Sequence, residues 1–268
     1  MDAPVPRKLA ALFLSATFPA LLLSACADAD ARTRHDPFDE GAGKVTWSCD
    51  FEGDYCGMSE QSKVEPQHRS TFVPIARHGK QGIKLTTLPG DDQVHSSGKW
   101  ERDDLELGPS PEYCNEGQEE WWAVSFLFPD DYVVPKGMGL VIDFHDNASG
   151  GQANLNLLTH SDELRLHGFY GDVKDPKEYK VELGKLRRNK WYDVVFHMKW
   201  SSGRDGFMQA WLNGRKVLVH RGPTLYHGIS CYFKLANYHD PSGPSSIVFD
   251  RVIRGTTARS VALAKLER

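Results

Sequence analysis

The sequence predicts an all-β protein, a two-sheet jelly roll in a single domain, and three observations predict it. Apolar and polar residues alternate over short runs from Val45 to about Thr257, the period of strands with one buried face. Turn residues separate those runs, with 24 Gly and 15 Pro in 268 residues. No long helical apolar stripe intervenes and nothing repeats at a fixed period, which leaves a sandwich, a barrel or a jelly roll. About 210 residues is large for an immunoglobulin-type sandwich and suits a jelly roll.

The elements follow in chain order. Trp122 to Phe128 stops at Pro129-Asp130-Asp131, and Leu140 to Phe144 stops at Asp146-Asn147. Asn154 to Leu158 and Leu164 to Phe169 flank the turn Ser161-Asp162-Glu163. Trp191 to Trp200 is followed by Phe207 to Leu212 and Lys216 to His220, joined through Asn213-Gly214, a strong short hairpin signal. Ser246 to Val252 closes the pattern. The chain divides into residues 1–25 as a leader, 26–44 as a tether, 45–257 as the β domain and 258–268 as a tail.

The leader has Arg7 and Lys8, an apolar run from Leu9 to Leu23 too short to span a bilayer, and small residues after it. Leu23-Ser24-Ala25-Cys26 resembles a bacterial lipobox, in which Cys26 is acylated; the expectation is an exported lipoprotein attached to a membrane, with the outer membrane as destination. The remaining cysteines, Cys49, Cys56, Cys114 and Cys231, are even in number and allow three disulfide connectivities; Cys49 with Cys56 and Cys114 with Cys231 is the favoured one. Zinc is disfavoured because no spacing is Cys-x-x-Cys. A net charge of −4 gives no broad basic field, so nucleic acid is excluded as a partner and any anion must be met by a few placed cations. A monomer is expected.

Alternation assigns residues to faces. With Leu140, Ile142 and Phe144 inward, Asp143 and His145 point outward; with Phe233 and Leu235 inward, so do Tyr232, Lys234 and Tyr238. Arg102, Asp104 and Glu106 oppose Leu105 and Leu107, Asn154 and Asn156 oppose Leu155 and Leu157, and Arg165 and His167 oppose Leu164 and Leu166. Any one of these sets could be a plain solvated face. Their shared content of His, Tyr, Lys, Arg and Asn suits a surface that holds a polyanionic sugar chain.

Three segments resemble the motifs of jelly-roll polysaccharide lyases of the heparin-lyase-I-like and glucuronan lyase group, whose fold is a concanavalin-A-like sandwich. Arg102-Asp103-Asp104-Leu105 is similar to that group's Arg-x-Glu-Leu, Asp143-Phe144-His145 to Gln-x-His, and Tyr232-Phe233-Lys234-Leu235-Ala236-Asn237-Tyr238 to Tyr-Phe-Lys-x-Gly-x-Tyr. Asp143, Ala236 and Asp104 depart from the pattern at the Gln, Gly and Glu. The resemblance implies β-elimination on a uronic-acid polymer of polyglucuronate, alginate or glycosaminoglycan type, with no cofactor in the chemistry. Arg102 would neutralise the substrate carboxylate, His145 would take the C5 proton, Tyr238 would protonate the leaving oxygen or, where the sugar's stereochemistry puts both groups on one side, serve as both base and acid, and Lys234 would lower the Tyr238 pKa. Asp143, Asn154, Asn156, Arg165, His167 and Tyr232 would contact substrate, Asp143 alternatively orienting His145. A structural calcium on Glu52 and Asp250 is a further expectation.

Two rivals stand beside this reading. Glu101, Asp103 and Glu106 have the spacing of the paired carboxylates in retaining jelly-roll glycoside hydrolases, although parity sends Glu101 and Asp103 to the Leu105 face. A non-catalytic glycan-binding lipoprotein is the other.

Overall fold

Alternating runs with large aromatics on one side can close only by packing face to face, and they do so as two antiparallel sheets. The computed structural model describes residues 41–60, 70–91, 100–108, 113–148, 150–240 and 242–263. One sheet contains β1 (Val45–Cys49), β3 (Thr71–Val73), β4 (Gly82–Thr87), β6 (Glu119–Leu127), β11 (Trp191–Lys199), β12 (Phe207–Leu212), β13 (Arg215–Arg221) and β15 (Ser245–Gly255). Its order is β13-β12-β11-β6-β15-β4-β3, with β1 also paired to β15. The second contains β2 (Ser59–Glu60), β5 (Glu101–Leu107), β7 (Met138–Asp146), β8 (Leu155–His160), β9 (Glu163–Asp172), β10 (Asp175–Lys185) and β14 (Cys231–His239), in the order β10-β9-β8-β7-β14-β5-β2. This is the expected all-β, two-sheet jelly roll.

Aromatic side chains from both sheets meet in the core. Trp122 of β6 lies 5.4 Å from Phe144 of β7 and 4.6 Å from Phe233 of β14, ring centre to ring centre. Each such buried ring contributes roughly 1.5–3 kcal/mol by leaving water. A smaller cluster covers the outer face of the first sheet, where Trp121, Val195, Trp211 and Ile253 pack with Ala258, Val261 and Leu263 from the segment after β15. The disulfides join Cys49 to Cys56 and Cys114 to Cys231, with Cα separations of 5.5 and 5.2 Å. The second ties the loop before β6 to the start of β14, so it anchors one end of the strand that carries Tyr232, Lys234 and Tyr238.

Two features depart from the sequence reading. Against β8 a bulge puts an extra residue in β7 between Leu140 and Ile142, and against β14 the extra residue is in β14, between Leu235 and Tyr238. Val141 and Ile142 therefore both enter the main core, while Leu140 joins Leu158 and Ala236 in a separate cluster. The expectation that Leu140 faces the core is corrected accordingly. The edge strand β10 is the second: in Asp175–Lys185, Tyr179, Val181 and Leu183 pack against the core between charged residues, a pattern masked by Pro176 and Gly184.

Candidate active site

The face of the second sheet turned away from the core is crossed by rows of polar residues in register. Glu106, Lys234, Asp143, Asn156, His167 and Lys180 are successive cross-strand partners on β5, β14, β7, β8, β9 and β10. Arg102, Tyr238, Leu140, Leu158, Arg165 and Glu182 form a second row. Tyr232 stands opposite His145 on the first row's other side. Along β14 the outward positions are thus Tyr232, Lys234, Ala236 and Tyr238, and Ala236 is the one short side chain among them.

His145 is the best-prepared base. Its Nδ1 lies 2.9 Å from the backbone oxygen of Asp146, which can only accept, so Nδ1 carries the proton and Nε2 of the neutral ring keeps its lone pair. The Asp146 carboxylate sits 3.6 Å from the same nitrogen. Burial pushes the Asp146 carboxyl up, against the Ala148 N–H, which pulls it down. The Tyr232 ring stacks on His145 at 5.5 Å. Asp146 was not anticipated, because it follows His145 by one residue and parity placed it inward; the strand ends there and its backbone and carboxylate fold back onto the imidazole.

Lys234 is the electrostatic centre. Its ammonium lies 3.0 Å from Asp143 and 3.8 Å from Asp104, and all three side chains are buried. Burial alone would lower the ammonium pKa, but the two carboxylates outweigh it and hold the lysine well above its usual range. Lys234 lies 5.7 Å from the Tyr232 ring centre, and it is the Tyr232 phenol, raised by burial, that its charge pulls down. Lys234 thus acts on Tyr232, two residues along β14, a neighbour that the sequence reading did not name for it. Asp143 serves Lys234 rather than orienting His145. The Asp143 carboxylate is compensated by the ammonium, so it does not meet substrate as a bare charge.

Tyr238 belongs to a neighbouring group. The Arg102 guanidinium lies 5.8 Å from its ring centre and the Trp100 ring 5.4 Å away. Arg102 Nε is 3.8 Å from Asp104, so Asp104 links the two groups. Tyr238 stands six residues along β14 from Tyr232, about 20 Å at strand rise.

Several expected substrate contacts have protein partners instead. Arg165 pairs with Glu182 at 2.6 Å and His167 with Glu178 at 2.8 Å, both across to β10, the strand that the sequence reading did not include. The Asn154 amide donates to Phe169 O at 3.1 Å and so secures β9. Asn156, opposite Asp143, keeps a buried Oδ1 with no hydrogen-bond partner among the described residues.

The carboxylates of the hydrolase rival are split between faces. Glu101 and Asp103 are buried on the core side, Glu101 accepting from Gly90 N–H at 3.2 Å and Asp103 from Thr86 N–H at 2.7 Å and the Ser70 hydroxyl at 3.3 Å, whereas Glu106 is on the outer face. Burial pushes the Asp103 carboxyl from 3.8 up to about 8, the Thr86 N–H opposing and Glu60 and Asp104 adding to the shift. Because the folded value exceeds the unfolded one, the stability it contributes is present below 3.8 and is lost as pH rises to about 8. Asp103→Asn is expected to flatten the fall in melting temperature over that interval; an unchanged slope would refute the assignment.

Glu52, in the bend after β1, and Asp250, on β15, converge on one loop. Glu52 accepts from Lys80 and Gln81 N–H at 2.5 and 3.0 Å, and Asp250 from Arg77 and His78 N–H, both at 2.5 Å. Gly79, between them, has φ +71°, and a Cβ there would collide with the Glu52 carboxylate. No three His, Cys, Asp or Glu residues come together to hold a metal among the described residues. Arg7, Lys8 and Cys26 lie outside the described residues.

The polysaccharide lyase family model matches residues 50–253, and the chain belongs to that family; it is a polysaccharide lyase. Among solved structures it is similar to an endo-β-1,4-glucuronan lyase from the fungus Trichoderma reesei, with a TM-score of 0.70 and 17% identity over 82% of this chain and 99% of the other. The alginate lyase AlgAT5 of polysaccharide lyase family 7 matches with a TM-score of 0.50 and 14% identity over 72% and 88% of the two chains. A bacteriophage phi24B carbohydrate esterase gives 0.51 and 12% over 80% and 99%. Curated protein sequences gave no match.

Proposed function

We propose that the enzyme cleaves a 1,4-linked uronate polymer by β-elimination, with polyglucuronate the first polymer to test. The observation that carries this is the His145 Nε2, freed by the Nδ1 hydrogen bond to Asp146, on the same face as Arg102, Lys234 and two tyrosines. The reacting sugar lies over Ala236. His145 removes the C5 proton, Arg102 balances the carboxylate as negative charge grows on it, and Tyr238 gives its proton to the O4 leaving group. The C5–H electrons form the C4–C5 double bond and the C4–O4 bond breaks. The similarity to a glucuronan lyase and the family membership support the polymer class.

Tyr232 is the competing proton donor because it touches His145. Tyr238→Phe is expected to lower kcat by about two to four orders of magnitude, the range of a lost general acid, and Tyr232→Phe to keep kcat within about tenfold. The reverse result would transfer the acid role to Tyr232.

Two finer points belong to the same reading. A calcium held by Glu52 and Asp250 would neutralise those two carboxylates beside the 77–81 loop and would take no part in the chemistry. Acylation at Cys26 would tether the enzyme to a membrane, where mass spectrometry of the mature N-terminus checks it.

A further inference from the structure

Apart from Arg102, which is assigned to the reacting sugar's carboxylate, the cations of the reacting face are already compensated: Lys234 by Asp143 and Asp104, Arg165 by Glu182, His167 by Glu178. Affinity for a long acidic chain therefore needs positive charge elsewhere. It is concentrated at the end of β10, where a cavity of about 370 Å³ is lined by Lys185, the last residue of the strand, by Arg187 just after it and by Arg215 at the β12–β13 turn, over a floor that includes Leu183, Leu212 and Tyr192. That size falls within the range of small-ligand sites. Lys185 pairs with Asp162 at 2.9 Å, while neither Arg187 nor Arg215 has an acidic partner in ion-pair range among the described residues. The backbone N–H of Arg187 donates to the Tyr192 hydroxyl at 2.7 Å, which fixes the loop against the cavity floor. In a chain of net charge −4, three cations around one apolar-floored cavity are a local reversal.

Its position supplies the second argument. The row Arg102, Tyr238, Leu140, Leu158, Arg165 ends on β10 at Glu182, and Lys185 lies three residues further, roughly 10 Å at strand rise. The register slips between Glu182 and Gly184, and Gly184 has φ +97°, so the edge strand bends between the row and the cavity. A polymer crossing the sheet along this row leaves it beside the cavity.

We propose that this cavity is a second, non-catalytic binding site for the acid groups of a uronate glycan chain, a ligand class that rests on the polyuronate reading above. The arginines meet carboxylates and the apolar floor meets the sugar's C–H face. Retention by one chain at two points would raise apparent affinity for polymer and leave short substrates unaffected.

The test measures binding with a His145→Ala protein, which does not consume the probe, against the same protein carrying Arg187→Ala and Arg215→Ala. Affinity electrophoresis through gels containing polyglucuronate, alginate or heparin supplies the probes. Removal of both arginines is expected to weaken retention by polyglucuronate or alginate roughly tenfold and to reduce its salt dependence. With His145 intact, the double variant is expected to turn over a short oligouronate at the parent kcat, which also shows that it folds. Equal retention of both proteins on every polymer, no retention of either, or an effect confined to heparin would overturn the proposal. Undiminished arginine-dependent binding by an enzyme that forms no unsaturated product would overturn the lyase substrate reading and leave this site standing.

Discussion

Replacing His145 with alanine is expected to lower kcat on a polyuronate by about two to four orders of magnitude, the loss of a positioned general base. The expectation rests on one hydrogen bond. The Asp146 carbonyl fixes the tautomer and turns Nε2 outward, whereas His167, in the next row on the same face, is engaged by Glu178. The His145 side chain is 31% exposed, so its removal leaves no buried cavity and the melting temperature should stay within a few degrees of the parent. The initial rate of unsaturated product formation, read beside circular dichroism, checks both halves. A variant folded like the parent with kcat within about tenfold of it would remove His145 from the proton transfer.

The second large effect is on stability. Lys234→Ala strands two carboxylates, Asp143 and Asp104, in a site where the lysine side chain is only 6% exposed and neither acid more than 1%. Breaking a buried ion pair from one side costs about 3–5 kcal/mol, most of it the penalty for charge left without a counterion. Removing charge from both sides is far milder, so Lys234→Met with Asp143→Leu is expected to recover most of the loss. Denaturant midpoints of the two variants decide it. A loss below about 1 kcal/mol in Lys234→Ala would mean the pair is screened as a surface pair would be.

The strands were legible because their alternation survives in the residues themselves. Parity placed Lys234, Asp143, Asn156 and His167 on one face, and the register aligns them in one row. It failed at Leu140, since a bulge adds a residue without leaving a mark in composition. Parity also says which face a residue shares but not what meets it across strands. Arg165 and His167 looked available because β10, the source of Glu182 and Glu178, was hidden by its charged residues, Pro176 and Gly184. That the Asp143 charge is met by Lys234, 3.0 Å away, is likewise a cross-strand contact that parity does not reveal. The basic cavity joins residues near 185 with residues near 215, a closeness that only the packing of the two sheets creates.

The most direct test of the account is the product. Purified enzyme incubated separately with polyglucuronate, alginate and a glycosaminoglycan is expected to generate, from at least one of them, fragments with the ultraviolet absorbance of a C4–C5 unsaturated uronate. Their mass should show no added water, and the Tyr238→Phe protein should form them far more slowly. New reducing ends that lack the absorbance and carry the mass of a water would mean hydrolysis, and would contradict β-elimination on this face.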